Sequence, residues 1–404
     1  MNGPRLIIGS VARGSDLWDR KRELERIWKA LETSSVLLSA PRRFGKTSLM
    51  LRLLDSPQSG WRAFYLDTEW IKGPADFVAE LLAQFREEKK SMQQFWIKAN
   101  KVVSGAFDRV EKVGLADFKL SLREILKDNW RDQGKALIRL LQEIDGKTIL
   151  LVDELPLLIR NIARERDEKS AAEFLFWFRG VRQMPELQEQ VRWVTGGSIG
   201  MGKVLQRIGA GTKTVNDLQV IRVLAYQPEQ AKAHIRALLK NEVGLQRVPG
   251  HILDKFLEVI GVPIPYFVQI FVRESINEME RCGERSFSEE MIETAYEQGV
   301  LGPYSRTYFD HYYERLDDYY GYDPELKTVA KGWLAAVARD GEVSLKDLKK
   351  LYTSLSGGSG DEDNFSYLLT ELENDFYLVR DPDRGTVHFA TKVLRDWWRK
   401  YPAL

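Results

Sequence analysis

The chain has one cysteine, Cys282, in 404 residues, so no intramolecular disulfide can form and the framework of an oxidised secreted domain is excluded. Its four histidines are scattered, which removes the spacing of a structural zinc site. No run of about 18 apolar residues occurs, so no membrane-spanning helix is expected. The N-terminus lacks the charged-then-apolar pattern of a secretory signal. Net charge is only +1, so no global field draws the protein onto a polyanion, although a local basic patch can still exist. Internal repeats and long low-complexity stretches are also missing. With 44% hydrophobic and 29% charged residues, the composition fits a cytoplasmic chain of two or three globular domains.

Residues 34–50 read SSVLLSAPRRFGKTSLM, and this stretch is the most informative in the chain. An apolar run, Val36 to Leu38, enters a loop that ends in Gly45-Lys46-Thr47 at the mouth of a predicted helix. The pattern is G-x-x-x-x-G-K-[ST] with Ala40 in place of the first glycine. In an expected nucleotide loop of Ala40, Pro41, Arg42, Arg43, Phe44, Gly45, Lys46, Thr47 and Ser48, the backbone N–H groups from Arg43 to Thr47 can turn toward a β-phosphate, and the helix N-terminus adds partial positive charge. Lys46 suits the β- and γ-phosphates of ATP, and the Thr47 hydroxyl suits Mg²⁺. The substitution at Ala40 is harmless only if that position needs no positive φ.

A second segment, Thr148 to Val152, is continuously apolar, as in a parallel strand buried on both faces, and ends in Asp153-Glu154. Acids at the end of a buried strand are costly unless paired or metal-bound. Asp153 is the expected Mg²⁺ partner and Glu154 the expected base for an attacking water, which favours hydrolysis over binding alone. Residues 62–67, 191–195 and 218–224 complete an expected parallel five-stranded sheet alternating with helices. At the end of the fourth strand, Ser198 is the preferred group to sense the γ-phosphate, with Thr195 the alternative. The competing reading is a simple turn built on Gly196-Gly197.

This first α/β domain spans residues 1–225, with a helical insertion at about 86–134 that includes an extended piece at Phe118–Leu122. A helical lid is expected over 226–300, starting at Pro228. A tyrosine-rich connector, 301–325, more plausibly packs its rings than stacks bases. Residues 326–404 suit a winged helix whose wing strands flank Asp383-Arg384-Gly385. Its third helix and lead-in, Asp361 to Asp375, carry six acids and no Lys or Arg, which argues against a helix placed among DNA phosphates.

These motifs resemble those of AAA+ ATPases of the STAND-like prokaryotic and archaeal group, which are related to origin-recognition ATPases. Asp16-Leu17-Trp18-Asp19-Arg20 with Glu23-Leu24 is similar to their opening segment. APRRFGKTSL resembles their phosphate loop, LLVDELP their Walker B strand, TGGS their sensor strand end, and Gly261-Val262-Pro263 the G-x-P element of their lid. The resemblance implies an α/β P-loop fold with lid and winged helix, and an ATP- and Mg²⁺-dependent switch. It places an adenine pocket near Leu17, Trp18 and Arg20. Pro263 has two readings, backbone placed near the phosphates or simply the start of a helix. It also implies a homo-oligomer in the ATP state, with an arginine supplied in trans; Arg182 is preferred over Arg179 and Arg207. The leading output is assembly or partner binding through the winged helix. The alternatives are a DNA-associated ATPase of initiator or transposition-regulator type, and a nucleotide-gated scaffold for an effector or toxin.

Overall fold

The computed structural model describes residues 3–86, 92–103, 114–197, 201–320, 323–357 and 361–401. The chain divides into two compact units: Asp19–Val223, and the residues through Trp18 together with Leu224–Leu404. The N-terminal stretch therefore belongs with the C-terminal half, unlike the expected first domain of residues 1–225. Backbone polarity explains the placement. Leu6 N–H donates to Glu242 Oε1 at 3.0 Å and Ile7 N–H to Gln269 Oε1 at 2.5 Å.

The Asp19–Val223 unit is built on five strands: β1 (Ser35–Ser39), β2 (Trp61–Asp67), β3 (Lys147–Asp153), β4 (Val191–Gly197) and β5 (Leu218–Arg222). All their pairings are parallel and the order across the sheet is β2-β3-β4-β1-β5. Strand β4 is thus inserted between β1 and β3. Every residue of β4, and all of β3 after Lys147, is buried, which is why these segments read as unbroken apolar runs. On one face, α1 (Lys21–Leu31) and α2 (Lys46–Asp55) cover Val36, Leu38, Ile149, Leu151 and Val194 with Ile27, Leu31, Met50 and Leu53. The other face is aromatic. Trp193 meets Phe178 edge-on at 4.9 Å, and Phe178 stacks on Phe174 and meets Phe77. These rings come from α3 (Pro74–Arg86) and α8 (Glu168–Arg182).

The insertion contains α4 (Gln93–Val102), α5 (Leu115–Leu126) and α6 (Trp130–Arg139). The expected extended piece at Phe118–Leu122 is helical instead. Phe118, Leu122 and Leu126 recur every four residues and are buried together, a helical period that outweighs the local β-type alternation. Phe95 and Trp96 of α4 and Trp130 of α6 are buried, as expected for rings that pack rather than dock. Helix α7 (Leu155–Glu165) follows β3 directly and α9 (Met201–Arg207) precedes β5.

In the second unit the segment expected as a lid forms helices α10 (Pro228–Val243), α11 (Gly250–Ile260), α12 (Pro265–Arg281) and α13 (Glu289–Thr294), the last running into a π-helical turn, Ala295–Val300. In the connector, α14 (Thr307–Tyr320) buries Tyr312 and Tyr320 completely or nearly so. Beyond it come α15 (Pro324–Asp340), β6 (Glu342–Ser344), α16 (Leu345–Leu355), α17 (Glu362–Asn374), β7 (Leu378–Asp381), β8 (Thr386–Phe389) and α18 (Lys392–Lys400). The three strands pair antiparallel in the order β6-β8-β7. The end of the segment expected as a lid is tied to α18 through Tyr296 OH to Asp396 (2.8 Å), Lys400 to the Glu297 carbonyl (3.1 Å) and Tyr401 OH to the Leu301 carbonyl (3.0 Å).

Inside this unit the acidity of α17 is largely answered. Glu362 pairs with Lys349, Glu373 with Arg380 at 2.7 Å, and Asp375 with Arg315 at 3.3 Å with both side chains buried. Glu371 is buried. The exposed acids of this stretch reduce to its first turn, so the repulsion anticipated from six uncompensated charges is much smaller. Exposed Lys346, Lys350, Arg384, Arg399 and Lys400 lie on the same domain. His388 is exposed on β8, as a solvated histidine would be.

Candidate functional site

In parallel register, Ser39 of β1 lies beside Gly197 of β4, Val152 of β3 beside Thr195, and Asp67 of β2 beside Asp153. The carboxyl ends of four strands therefore come level, the usual place for a site in an open α/β sheet. The loop after β1 and the acids after β3 are separated by β4. What lets them meet is the end of β4 itself. A Cβ on Gly196 would lie 2.5 Å from Met50 Cε of α2 and 3.5 Å from Asp153 Oδ1; one on Gly197 would lie 2.3 Å from Pro156 Cδ of α7. The glycine pair is a bare strand end over which α2 and α7 close, and both residues are still strand rather than turn.

The two segments make direct contact there. Thr47 Oγ1 donates to Asp153 Oδ2 at 2.7 Å. Tyr65 OH, from β2, donates to the same oxygen at 3.1 Å, and the Glu154 N–H donates to Oδ1 at 3.0 Å. The Lys46 ammonium, buried, is held by the carbonyls of Ala40 and Pro41. Arg20, buried, donates to the Phe44 carbonyl at 2.9 Å and pairs with Glu23 at 2.6 Å. It braces the loop at Phe44.

Four non-glycine residues among those described have positive φ, and two of them are in this site: Arg43 (70°) and Glu154 (57°). Such strain gathers at functional positions. Gly45, at 93°, is the loop's glycine in the left-handed region, while Ala40 is not among the positive-φ residues. The missing first glycine is therefore no obstacle: the loop makes its left-handed bends at residues 43 and 45.

Burial pushes the Asp153 carboxyl up from its ordinary range; the Thr47 hydrogen bond and the Lys46 charge oppose this without reversing it. Desolvating a carboxylate costs several kcal/mol, whereas a hydrogen bond to a charged group returns about 1.5–3 kcal/mol. Burial and the neighbouring Asp153 push the Tyr65 phenol up as well, so it remains a donor. Thr47 and Asp153 are hard oxygen donors next to each other, which fits Mg²⁺, an ion that takes one or two protein oxygens and completes its shell with phosphate and water. No cluster of three His, Cys, Asp or Glu capable of holding a metal occurs among the described residues.

With this geometry in place, the comparisons can be read. No protein-family model and no curated protein sequence matches the chain. Its fold is similar to that of a Walker-type ATPase of Pyrococcus abyssi, with TM-score 0.66 and 18% identity over 98% of this chain and 99% of that one. It is also similar to the ORC2 protein of Aeropyrum pernix in ADPNP–ADP complexes, with TM-score 0.55 and 12% identity over 95% and 92%. The chain shares with these two structures the α/β fold of a parallel five-stranded sheet flanked by helices.

Other predicted site residues fall elsewhere. Arg182 is a structural cation: buried, it makes a two-pronged ion pair with Asp217 at 2.9 Å, donates to the Thr214 carbonyl and stacks over Phe178. An arginine so engaged is not presented to a neighbouring subunit, which corrects its assignment as the trans-acting group. Arg207 is exposed, 3.7 Å from Glu168. Thr195 donates its hydroxyl to the Val36 carbonyl at 3.3 Å, so it serves the sheet. Ser198 lies outside the described residues. Trp18 belongs to the second unit, where it stacks on buried His234 at 5.2 Å and donates to the Gln230 carbonyl. Leu17 precedes it, half-buried. The Pro263 carbonyl accepts from Tyr226 N–H at 3.1 Å, and Gly261 takes φ 70° as its Cα abuts Lys392. Sequence reasoning missed Tyr65 and the bracing role of Arg20. The signal for Tyr65 was its place two residues before the end of a strand adjoining β3.

Asp153 gives a testable sign. Its folded carboxyl holds a proton more tightly than the unfolded chain does, so its contribution to stability is present below the unfolded carboxylate range and lost as pH rises through the folded value. Asp153→Asn is expected to raise the melting temperature of nucleotide-free protein at neutral pH by a few degrees and to flatten its pH dependence. Thermal melts across the pH range check this; an unchanged or lowered melting temperature contradicts it.

Proposed function

We propose that the chain binds ATP with Mg²⁺ between Lys46, Thr47 and Asp153 and hydrolyses it as the timing step of a molecular switch. The observation that carries this reading is the Thr47–Asp153 hydrogen bond, which joins the helix-capping loop to the acidic strand end. In this reading the amides of residues 43–48 and the Lys46 ammonium take the phosphate oxygens, exchanging Lys46's carbonyl partners for phosphate. Mg²⁺, held by the Thr47 hydroxyl and the Asp153 carboxylate, supplies charge neutralisation to the transferred phosphoryl group. Tyr65 and the Glu154 amide fix the Asp153 carboxylate in place. Glu154, set in the left-handed conformation just past β3, takes the proton of the attacking water. Ser198 as γ-phosphate sensor, and Arg179 or Arg207 as the charge supplied across subunits, complete the proposal.

For the output of the switch, DNA association is the better supported reading. The Aeropyrum ORC2 protein has a similar fold, Glu362, Glu373 and Asp375 of the α17 stretch are paired with cations, and exposed basic residues lie on the same domain. The helices α15–α17 with the β6-β8-β7 sheet have the element order of a winged helix, with β7 and β8 forming the wing. Assembly and protein contact remain the function of the switch in either case.

Two experiments test these readings. Phosphate release should fall by about 10²–10⁴-fold in Glu154→Gln with ATP still bound, and nucleotide binding should be lost in Lys46→Ala; equal turnover in wild type and both variants rules out hydrolysis at this site. Duplex DNA should bind in a salt-dependent way that weakens in Lys346→Glu combined with Arg384→Glu. Salt-independent binding, or none, returns the domain to a purely protein-facing role.

A further inference from the structure

One turn of the ATPase unit presents a ring to solvent on a rigid mount. Trp70 is 79% exposed, although tryptophan is among the residues that gain most from burial in an interface. Its turn is firmly held. Thr68 donates through both its N–H and its hydroxyl to the Asp153 carbonyl (3.3 and 2.5 Å), Ile71 N–H donates to the Thr68 carbonyl, and Asn161 donates to the Glu69 carbonyl at 2.8 Å. Asp67 and Glu69, both exposed, precede the ring in the same turn, and the Glu69 N–H donates to Asp67 Oδ1 at 3.0 Å. The turn is aromatic at its tip, anionic at its base, and hung directly from the strand that carries the site's acids.

A feature of opposite character lies on the C-terminal domain. A cleft of about 350 Å³ opens between α15, α16 and α18. Ala335, Ala336, Leu351 and Trp398 line it together with Arg339 and Arg399. Both arginines are exposed; Arg339 shares the adjacent Asp340 at 2.8 Å, and Arg399 makes no ion pair among the described residues. The lining combines apolar side chains with two exposed cations, and the cleft is in the size range that takes a small apolar group.

We propose that the Trp70 turn of one copy seats in the Ala336 cleft of a second copy, with Asp67 and Glu69 meeting Arg339 and Arg399. Ring and cleft are different surfaces, so the contact is heterologous and builds a ring or a filament rather than a closed two-fold pair. This deepens the assembly reading above and rests on it for the link to ATP. The link itself runs through Thr68: a partner that fixes the Trp70 turn also fixes the backbone of Asp153. Formation of the contact needs no hydrolysis.

Sedimentation velocity on the full chain, with and without ATP and Mg²⁺, tests it. Wild type is expected to self-associate. Trp70→Ala, which removes an exposed ring, and Ala336→Trp, which fills the cleft, should each weaken association by about tenfold or more. Mixed together, these two variants retain one intact cleft and one intact ring, so they should form dimers and nothing larger. Glu69→Arg and Arg399→Glu should each weaken assembly, and the two combined in one chain should restore it. A wild type that stays monomeric in every nucleotide state overturns the proposal, as does assembly indifferent to all four variants or assembly that requires duplex DNA. A Trp70 fluorescence shielded from iodide in the monomer overturns it in favour of docking within one chain. ATP binding is measured alongside: unchanged nucleotide affinity in Trp70→Ala is expected. Assembly retained in a protein that binds no ATP would leave the contact standing while removing the switch.

Discussion

The site depends on two segments reaching each other across a strand that lies between them. Lys46 and Thr47 follow β1, Asp153 ends β3, and β4 sits in the gap. A Cβ at Gly196 would press on Met50 of α2, and one at Gly197 on Pro156 of α7. Gly196 and Gly197 leave those positions clear beside the 2.7 Å contact between Thr47 and Asp153. Close packing turns the two glycines into a functional requirement, because an interior at crystal-like density has no slack to absorb even a methyl group.

Around this contact the protein accepts local cost. A carboxylate is buried with its charge penalised, an ammonium is held by backbone carbonyls, and two side-chain-bearing residues adopt left-handed backbone. The rest of the unit is conventional by comparison: a parallel sheet buried on both faces, aliphatic on one side and aromatic on the other. That contrast is what a binding site on a stable scaffold looks like. Two of the four left-handed non-glycine residues among those described, Arg43 and Glu154, fall at this site, where such strain commonly marks function. The Trp70 turn shares an anchor with the site through Thr68, so surface and chemistry are joined by a single backbone carbonyl.

Much of this was legible in the sequence because it rests on backbone rules. The unbroken apolar runs of β3 and β4, the GKT at a helix start and the paired acids at a strand end each have one economical structural meaning, and all three hold. The left-handed bend at Arg43 was not legible, since it is the substitution at Ala40 that draws attention and not the residue that carries the bend. Arg182 was misjudged because a helical arginine looks the same in sequence whether it faces solvent or, as here, pairs with Asp217 thirty-five residues away. The acidity of α17 misled for the same reason: its partners Lys349, Arg380 and Arg315 come from other elements, and only the fold brings them together. The N-terminal stretch gave no sign that its backbone bonds would go to Glu242 and Gln269 in the distant half of the chain. Local patterns carried the strands, while long-range ion pairs and strap contacts needed coordinates.

The central claim is that Thr47 and Asp153 hold one divalent ion against the phosphates of ATP, and it is most directly tested by substituting Mn²⁺ for Mg²⁺ and recording its electron–nuclear double resonance spectrum with bound ATP. The account predicts phosphorus couplings from nucleotide phosphates on a protein-bound Mn²⁺, lost when Thr47 is replaced by valine. Manganese that binds with ATP equally well in Thr47→Val and Asp153→Asn, or that shows no phosphorus coupling in wild type, would contradict it.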